Sequence, residues 1–156
     1  MNIKIFRSVI FIVAFFLFAN FAWAEDWVQY ESSNTGNKYF EKSSIKEAGK
    51  NIVRVWVLKV YNKEGKEKDF EMLKKRKLTP PPSADVLSWN SVIAEIDCAN
   101  KKIKPISWTI YDNKKNVVYN APKSIEKWVK IEAKLSTEKL RKMVCNSSKN
   151  IKTKKK

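Results

Sequence analysis

The sequence contains no histidine, only three glycines and two cysteines, and half as many acidic residues as basic ones. Without histidine it cannot carry a histidine-based triad, and two cysteines cannot complete a four-ligand zinc site of the usual thiolate and imidazole kind. Neither glycine-rich phosphate-binding motif is present. We therefore expect no metal site, no cofactor and no catalytic residue, and a protein that is not an enzyme.

The first 24 residues have the pattern of a secretory signal peptide. Lys4 and Arg7 precede an apolar run of 11 residues over 9–19, and Ala22–Ala24 supplies the small residues of a cleavage site. A membrane span needs about 20 apolar residues, and no nearby cysteine can accept a lipid anchor. The sequence predicts an exported mature chain from Glu25 without a transmembrane segment, located in the periplasm, on the outer surface or in the medium.

Cys98 and Cys145 both lie in the predicted mature chain. An oxidising compartment makes one structural disulfide bond the default for such a pair. Redox-active cysteines usually form a C-x-x-C motif, whereas these two are 47 positions apart. In the chain-entropy model, closing a loop of this length stabilises a fold by about 4 kcal/mol.

Short extended segments joined by polar turns indicate an α+β, mainly β fold. Ile52–Tyr61 is the strongest strand, and its apolar residues on both faces predict a central strand covered on both sides. Asn62–Lys66 is predicted as a hairpin turn and Lys68–Leu73 as a weaker strand. Because consecutive strands follow through tight turns, we expect an antiparallel meander sheet or a partly closed barrel.

The second half of the chain continues this pattern and ends in a helix. Further strands are predicted at Val86–Cys98, Lys104–Tyr111 and Val117–Tyr119, and Ser124–Ile131 fits either a helix or a strand. A helix is predicted from a capping Ser136 to Cys145.

The predicted domain boundaries follow from these segments. They place the signal peptide at 1–24, one β-domain at 25–145 and a disordered, lysine-rich tail at 146–156.

The charge of the chain indicates an acidic partner. The predicted mature chain keeps 30 of the 32 basic residues and all 16 acidic ones, so its surface attracts polyanions. Outside the cytoplasm these are lipopolysaccharide and other anionic glycans, and no nucleic acid is expected. The predicted contacts are Lys74, Lys75, Arg76, Lys77, Lys101, Lys102, Lys114, Lys115, Lys154, Lys155 and Lys156. The alternative is that these residues only keep the protein soluble.

Two further groups of residues have a functional and a structural interpretation. The tryptophans and tyrosines of the mature chain could form a platform that stacks on sugars or haem, but strand aromatics are more often core, and we favour the core. Glu95 and Asp97 alternate on one strand face and could form a hydrolytic pair. We favour a solvated strand position for Glu95 and a turn or salt-bridge role for Asp97.

Several short motifs, taken in order, resemble the surface-adhesin protein E family of Gram-negative bacteria. They include Tyr39-Phe40, Val53–Val57, Asp97-Cys98, Tyr111-Asp112 and Trp128 before a closing Cys145. The resemblance covers about Trp27 to Cys145.

The resemblance implies a small antiparallel sheet with a C-terminal helix, which a disulfide between Cys98 and Cys145 attaches to the sheet. It also implies a surface role, in which the adhesin binds host extracellular matrix proteins such as vitronectin and laminin. The alternative function is that of a periplasmic structural or assembly protein that contacts envelope components. The oligomeric state is left open.

Overall fold

The computed structural model describes residues 26–76, 78–121 and 127–153, with the backbone alone for 149–153. Its elements, in chain order, are β1 (Trp27–Ser33), β2 (Gly36–Gly49), β3 (Ile52–Tyr61), α1 (Lys63–Lys75), a 3₁₀ turn (Ala84–Val86), β4 (Trp89–Asp97), β5 (Lys102–Tyr111), β6 (Val117–Asn120), β7 (Val129–Lys130) and α2 (Ser136–Thr153). The predicted signal peptide lies outside the described residues.

The seven strands form one antiparallel sheet in the order β1-β2-β3-β4-β5-β6. The edge of β5 that faces away from β4 is shared by two short strands, with β6 pairing at Thr109–Tyr111 and β7 at Lys102 and Ile103. The predicted mainly β, antiparallel meander with a C-terminal helix is therefore confirmed.

Both helices pack on the same face of this sheet. Val53, Val55 and Val57 point from β3 into a core that includes Leu140 and Val144 of α2. Further along the same face, a second cluster joins Tyr61 of β3 to Leu73 of α1, with Leu87 and Ile110. We call this the covered face.

The opposite face of β3 is uncovered, which corrects the prediction of a strand buried on both sides. Arg54, Trp56 and Val60 alternate with the buried valines and are exposed. The reason is that both helices pack on the same side, so the described chain has no element left for the other. We call this the open face.

The segment after β3 is a helix, so the predicted hairpin turn and strand over 62–73 are wrong. The side chain of Asn62 accepts a hydrogen bond from the backbone N–H of Gly65 at 3.0 Å, which caps the helix. Phe70 and Leu73 are three positions apart and face the second core cluster. Lysine and glutamate, which dominate the segment, are also better helix formers than strand formers.

Helix α2 starts at Ser136 as predicted, and Cys145 forms the predicted disulfide with Cys98. Cys98 directly follows β4, and the two Cα atoms are 5.9 Å apart, so the bond attaches the helix to the end of a central strand. The helix continues to Thr153, past the predicted end at Cys145. Residues 146–153, predicted as part of a disordered tail, therefore continue the helix.

Two other predicted boundaries change. Strand β4 begins at Trp89 instead of Val86, because Ala84–Val86 forms a 3₁₀ turn closed by the Leu87 N–H on the Ala84 carbonyl. Of the ambiguous stretch Ser124–Ile131, residues 124–126 lie outside the described residues, and Val129–Lys130 forms a strand.

Candidate binding face

The open face contains a shallow groove with a volume of about 400 Å³. Its lining residues come from β1, β3, β4, β5 and the turn after β5: Trp27, Trp56, Leu58, Val60, Trp89, Ser91, Tyr111 and Lys115. The Trp56 side chain is 44% exposed and Val60 is 41% exposed, although both are large and apolar. Contiguous exposed apolar surface of this kind typically marks an interaction site.

Strand pairing arranges the open face in cross-strand rows. From one end of the sheet to the other, these rows are Val60 with Trp89 and Tyr111, Leu58 with Ser91 and Thr109, Trp56 with Ile93, and Arg54 with Glu95 and Lys104. Trp27 belongs to the Trp56 row, because both residues pair with Glu41 of β2. The face therefore changes along the strands from aromatic to charged.

Trp89 and Tyr111 form a stacked aromatic pair in the groove. They are directly opposed on β4 and β5, and their rings stack with centroids 3.8 Å apart and an angle of 12° between planes. Each ring restricts the rotamers of the other, so these two side chains lose less conformational entropy when a ligand binds.

The charged end of the face is organised around Glu95, a buried carboxylate between two cations. Arg54 Nη2 lies 2.7 Å from Glu95 Oε1, and Lys104 Nζ lies 2.9 Å from Glu95 Oε2. Burial alone would raise the pKa of Glu95, but the hydrogen bonds and charges of Arg54 and Lys104 together lower it. The carboxylate therefore stays ionised at neutral pH and is not suited to donate a proton as a general acid.

Asp97 also has a structural role. Its carboxylate accepts hydrogen bonds from the backbone N–H groups of Ala99 and Asn100, and from the Asn100 side chain at 2.8 Å. The hydrogen bonds from Asn100 and Ala99 lower the pKa of Asp97, with burial opposing and the charge of Lys102 assisting. The turn interpretation of Asp97 agrees with these contacts. The prediction that Glu95 is solvated is wrong, because Arg54 and Lys104 pair with its carboxylate and leave the residue buried.

The predicted basic residues that the structure describes do not form one patch. Lys101 and Lys102 lie in the β4–β5 turn and at the start of β5, whereas Lys114 and Lys115 lie in the β5–β6 turn. These two turns are at opposite ends of the ten-residue strand β5, roughly 30 Å apart. Lys115 is the one of these four that lines the groove.

Lys74, Lys75 and Arg76 are exposed at the C-terminal end of α1, which packs on the covered face. Lys74 is already engaged, with its Nζ 2.8 Å from Glu71 Oε1 and 4.4 Å from the centre of the Phe70 ring. Lys77 and Lys154–Lys156 lie outside the described residues.

A second recess, of about 470 Å³, lies between β7 and the start of α2. Its lining combines both signs of charge, with Lys101 and Lys130 facing Glu132 and Glu138. Glu138 is held by two hydrogen bonds of 2.7 Å from Arg141, which also donates to the Cys98 carbonyl at 3.2 Å. These contacts stabilise the region around the disulfide.

Comparison with protein families agrees with this architecture. The family model of the surface-adhesin protein E matches residues 27–146. The chain belongs to the surface-adhesin protein E family. No curated protein and no solved structure matches the chain. Its membership indicates a surface adhesin and gives no partner.

The described residues place two limits on the site. Within them, no helix is long and apolar enough to cross a membrane. No group of three or more potential metal-ligating side chains occurs in the same part of the chain.

The groove is the feature that the sequence interpretation missed, because the aromatic residues were assigned to the core. Trp108 does pack against the second core cluster, but Trp56 does not. The available signal was the alternation on β3, where Trp56, Leu58 and Val60 oppose Val53, Val55 and Val57.

Proposed function

We propose that this protein is an exported, non-enzymatic adhesin of the cell surface that binds host extracellular matrix through its open face. The observation that carries the proposal is an exposed aromatic groove on a member of a surface-adhesin family. Tryptophan and tyrosine are enriched among the residues that contribute most binding energy in interfaces. The signal peptide pattern over 1–24 supports export.

Charge supports the same function in a secondary role. The predicted mature chain has 30 basic and 16 acidic residues, and this excess of positive charge accelerates association with acidic matrix components. Because the basic residues lie at separate places, we expect them to act on the association rate more than on specificity. The lysines at 74, 75, 101, 102, 114 and 115 remain proposed partner contacts of this general kind.

The proposal is tested on intact cells that produce the full-length precursor. Added protease should degrade the protein while a periplasmic control protein stays intact, and the cells should bind immobilised vitronectin or laminin saturably. A protein that is protected from protease until the outer membrane is opened would contradict the surface location. That result would favour a periplasmic structural or assembly role.

A further inference from the structure

The open-face groove has cations at both ends of an aromatic floor. Lys115 borders the row of Trp89 and Tyr111, and Arg54 follows Trp56 on the same face of β3. The aromatic part covers three rows, so its length along the strands is about 14 Å, and Arg54 lies about 7 Å further. Along the open face, the cation Lys115 is therefore followed by the stacked pair of Trp89 and Tyr111. Then come Leu58 with Ser91, the ring of Trp56 and finally the cation Arg54.

This order restricts the chemistry of a ligand. The floor offers ring faces and two hydroxyl groups, from Ser91 and Tyr111, and an acidic ligand would be complementary to the two cationic ends. Arg54 donates a hydrogen bond of 2.7 Å to Glu95, while its side chain remains 51% exposed, so its guanidinium stays accessible. The face of an aromatic ring is electron-rich and attracts the weakly positive C–H groups that line one side of a sugar ring.

The position of the groove disfavours an extended peptide. Peptides commonly bind by adding a strand to a sheet edge, where free backbone groups are available. Apart from Trp27 on the edge strand β1 and Lys115 in a turn, the groove instead lies on β3, on β4 and on the Tyr111 end of β5. The backbone groups there pair with neighbouring strands on both sides. A ligand there contacts side chains only, as a stacked saccharide does.

We propose that the open-face groove binds an acidic oligosaccharide, whose rings stack on Trp56 and on the Trp89–Tyr111 pair and whose carboxylates or sulfates pair with Lys115 and Arg54. This inference rests on the proposed function, because it names the chemistry that the adhesin recognises in the matrix. The groove volume lies within the range of small-molecule sites.

The test measures binding of the purified, oxidised exported protein to three probes by calorimetry: a heparin hexasaccharide, a hyaluronan hexasaccharide and neutral maltohexaose. We expect both acidic probes to bind and maltohexaose to bind at least tenfold more weakly. Trp56→Ala should weaken acidic binding by about tenfold, whereas Trp56→Phe, which keeps a ring, should retain most of the affinity. Circular dichroism confirms that each variant is folded.

The matched control separates a groove from general charge attraction. Lys115→Gln and Lys68→Gln each remove one positive charge, but Lys68 is exposed on α1, away from the open face, and is not a proposed partner contact. We expect Lys115→Gln to weaken binding at least threefold and Lys68→Gln less than twofold. Equal losses for both, with no effect of Trp56→Ala, would overturn the proposal, as would the absence of binding by any acidic probe.

A further arm distinguishes this inference from the proposed function. Laminin is tested before and after enzymatic removal of its glycans. If the treated laminin binds unchanged and Trp56→Ala still abolishes that binding, the glycan inference fails and the adhesin function stands. If neither form of laminin, vitronectin nor any acidic probe binds, both fail. Loss of laminin binding with its glycans supports the inference.

Discussion

Single side chains decide what each face of the sheet does. Glu95 sits on the open face but is only 10% exposed at its side chain, because Arg54 and Lys104 cover it from both sides. Lys104 in turn lies 5.1 Å from the ring centre of Trp128. These contacts give the charged end of the open face a fixed arrangement.

Replacing Glu95 by glutamine should lower the free energy of unfolding at pH 7 by about 1–3 kcal/mol, because two cations lose a charged acceptor. The folded-state pKa of Glu95 is lowered, so its stabilising contribution is complete above its ordinary value of 4.5 and is lost as the pH falls through the lower folded value. Urea unfolding at pH 7 and at several values below 4.5 measures this. The difference between the two proteins should shrink with falling pH.

Glu67→Gln on α1 is the control for this measurement, since Glu67 is exposed and has no ion pair among the described residues. It should change the free energy of unfolding by less than 0.5 kcal/mol. If Glu95→Gln lowers the free energy of unfolding no more than this control does, or by an amount that does not depend on pH, the structural role of Glu95 between Arg54 and Lys104 is contradicted.

At the scale of single residues, the disulfide between the two cysteines could be predicted from the sequence, whereas the groove could not. Two cysteines in an exported chain have one pairing available to them, so Cys98 and Cys145 follow from chemistry alone. The alternation on β3 separates Trp56 from Val55 and Val57, but which of the two faces the helices cover is decided by tertiary packing.

The helices and strands show where local and tertiary signals compete. Helix α1 begins where the chain turns after β3, and its third residue is Gly65, buried against the β1–β2 turn. A Cβ atom at Gly65 would overlap the carbonyl oxygen of Thr35. The side chain of Asn62, which caps the helix, also donates to the Asn34 carbonyl at 2.7 Å. The start of α1 is therefore held by the β1–β2 turn.

Gly65→Ala should destabilise the protein by about 1–3 kcal/mol, because the new methyl group forces the turn and the helix apart. Gly49→Ala is the matched control, since a Cβ there meets only the Ile52 side chain, at an ordinary 3.5 Å. Thermal unfolding of both variants measures the difference. If Gly65→Ala is as stable as Gly49→Ala, the close packing of α1 against the β1–β2 turn is contradicted.

The disulfide should contribute most of the attachment of α2. Cys98→Ser should lower the free energy of unfolding by about 4 kcal/mol, because the unfolded chain regains the entropy of an open loop. Chemical denaturation measures this, and hydrogen exchange should show lost protection in α2. Since one bond is involved, the double variant Cys98→Ser with Cys145→Ser should cost the same. A loss below 1 kcal/mol would show that Leu140 and Val144 hold the helix without it.

The strands could be predicted because β-branched runs and turn residues are local signals. The prediction of a hairpin turn and a strand over 62–73 failed for a physical reason. The capping by Asn62 and the spacing of Phe70 and Leu73 favour a helix, but a turn-like sequence with short apolar pairs fits a hairpin as well. The end of α2 was misplaced because a lysine-rich sequence of low hydrophobicity is compatible with both a helix end and a disordered tail.

At the scale of the whole molecule, the two faces of the sheet differ. Both helices cover one face of a seven-stranded sheet, and the other keeps tryptophan side chains exposed to solvent. Exposed tryptophan side chains do not stabilise a domain, but they suit a surface that binds a partner, as the surface of an adhesin does. The positive charge spread over both ends of the sheet adds a long-range attraction that salt weakens.

The central claim is that matrix binding uses the open face, and one measurement tests it directly. The affinity of the oxidised protein for laminin is compared with that of Trp56→Ala and of Leu135→Ala, at physiological and at high salt. Leu135 is also apolar and exposed, at 51%, but it precedes α2 and does not line the groove. We predict saturable binding that persists at high salt, a loss of about tenfold in Trp56→Ala and no change in Leu135→Ala. Binding that disappears in salt and is equal in all three proteins would contradict the account.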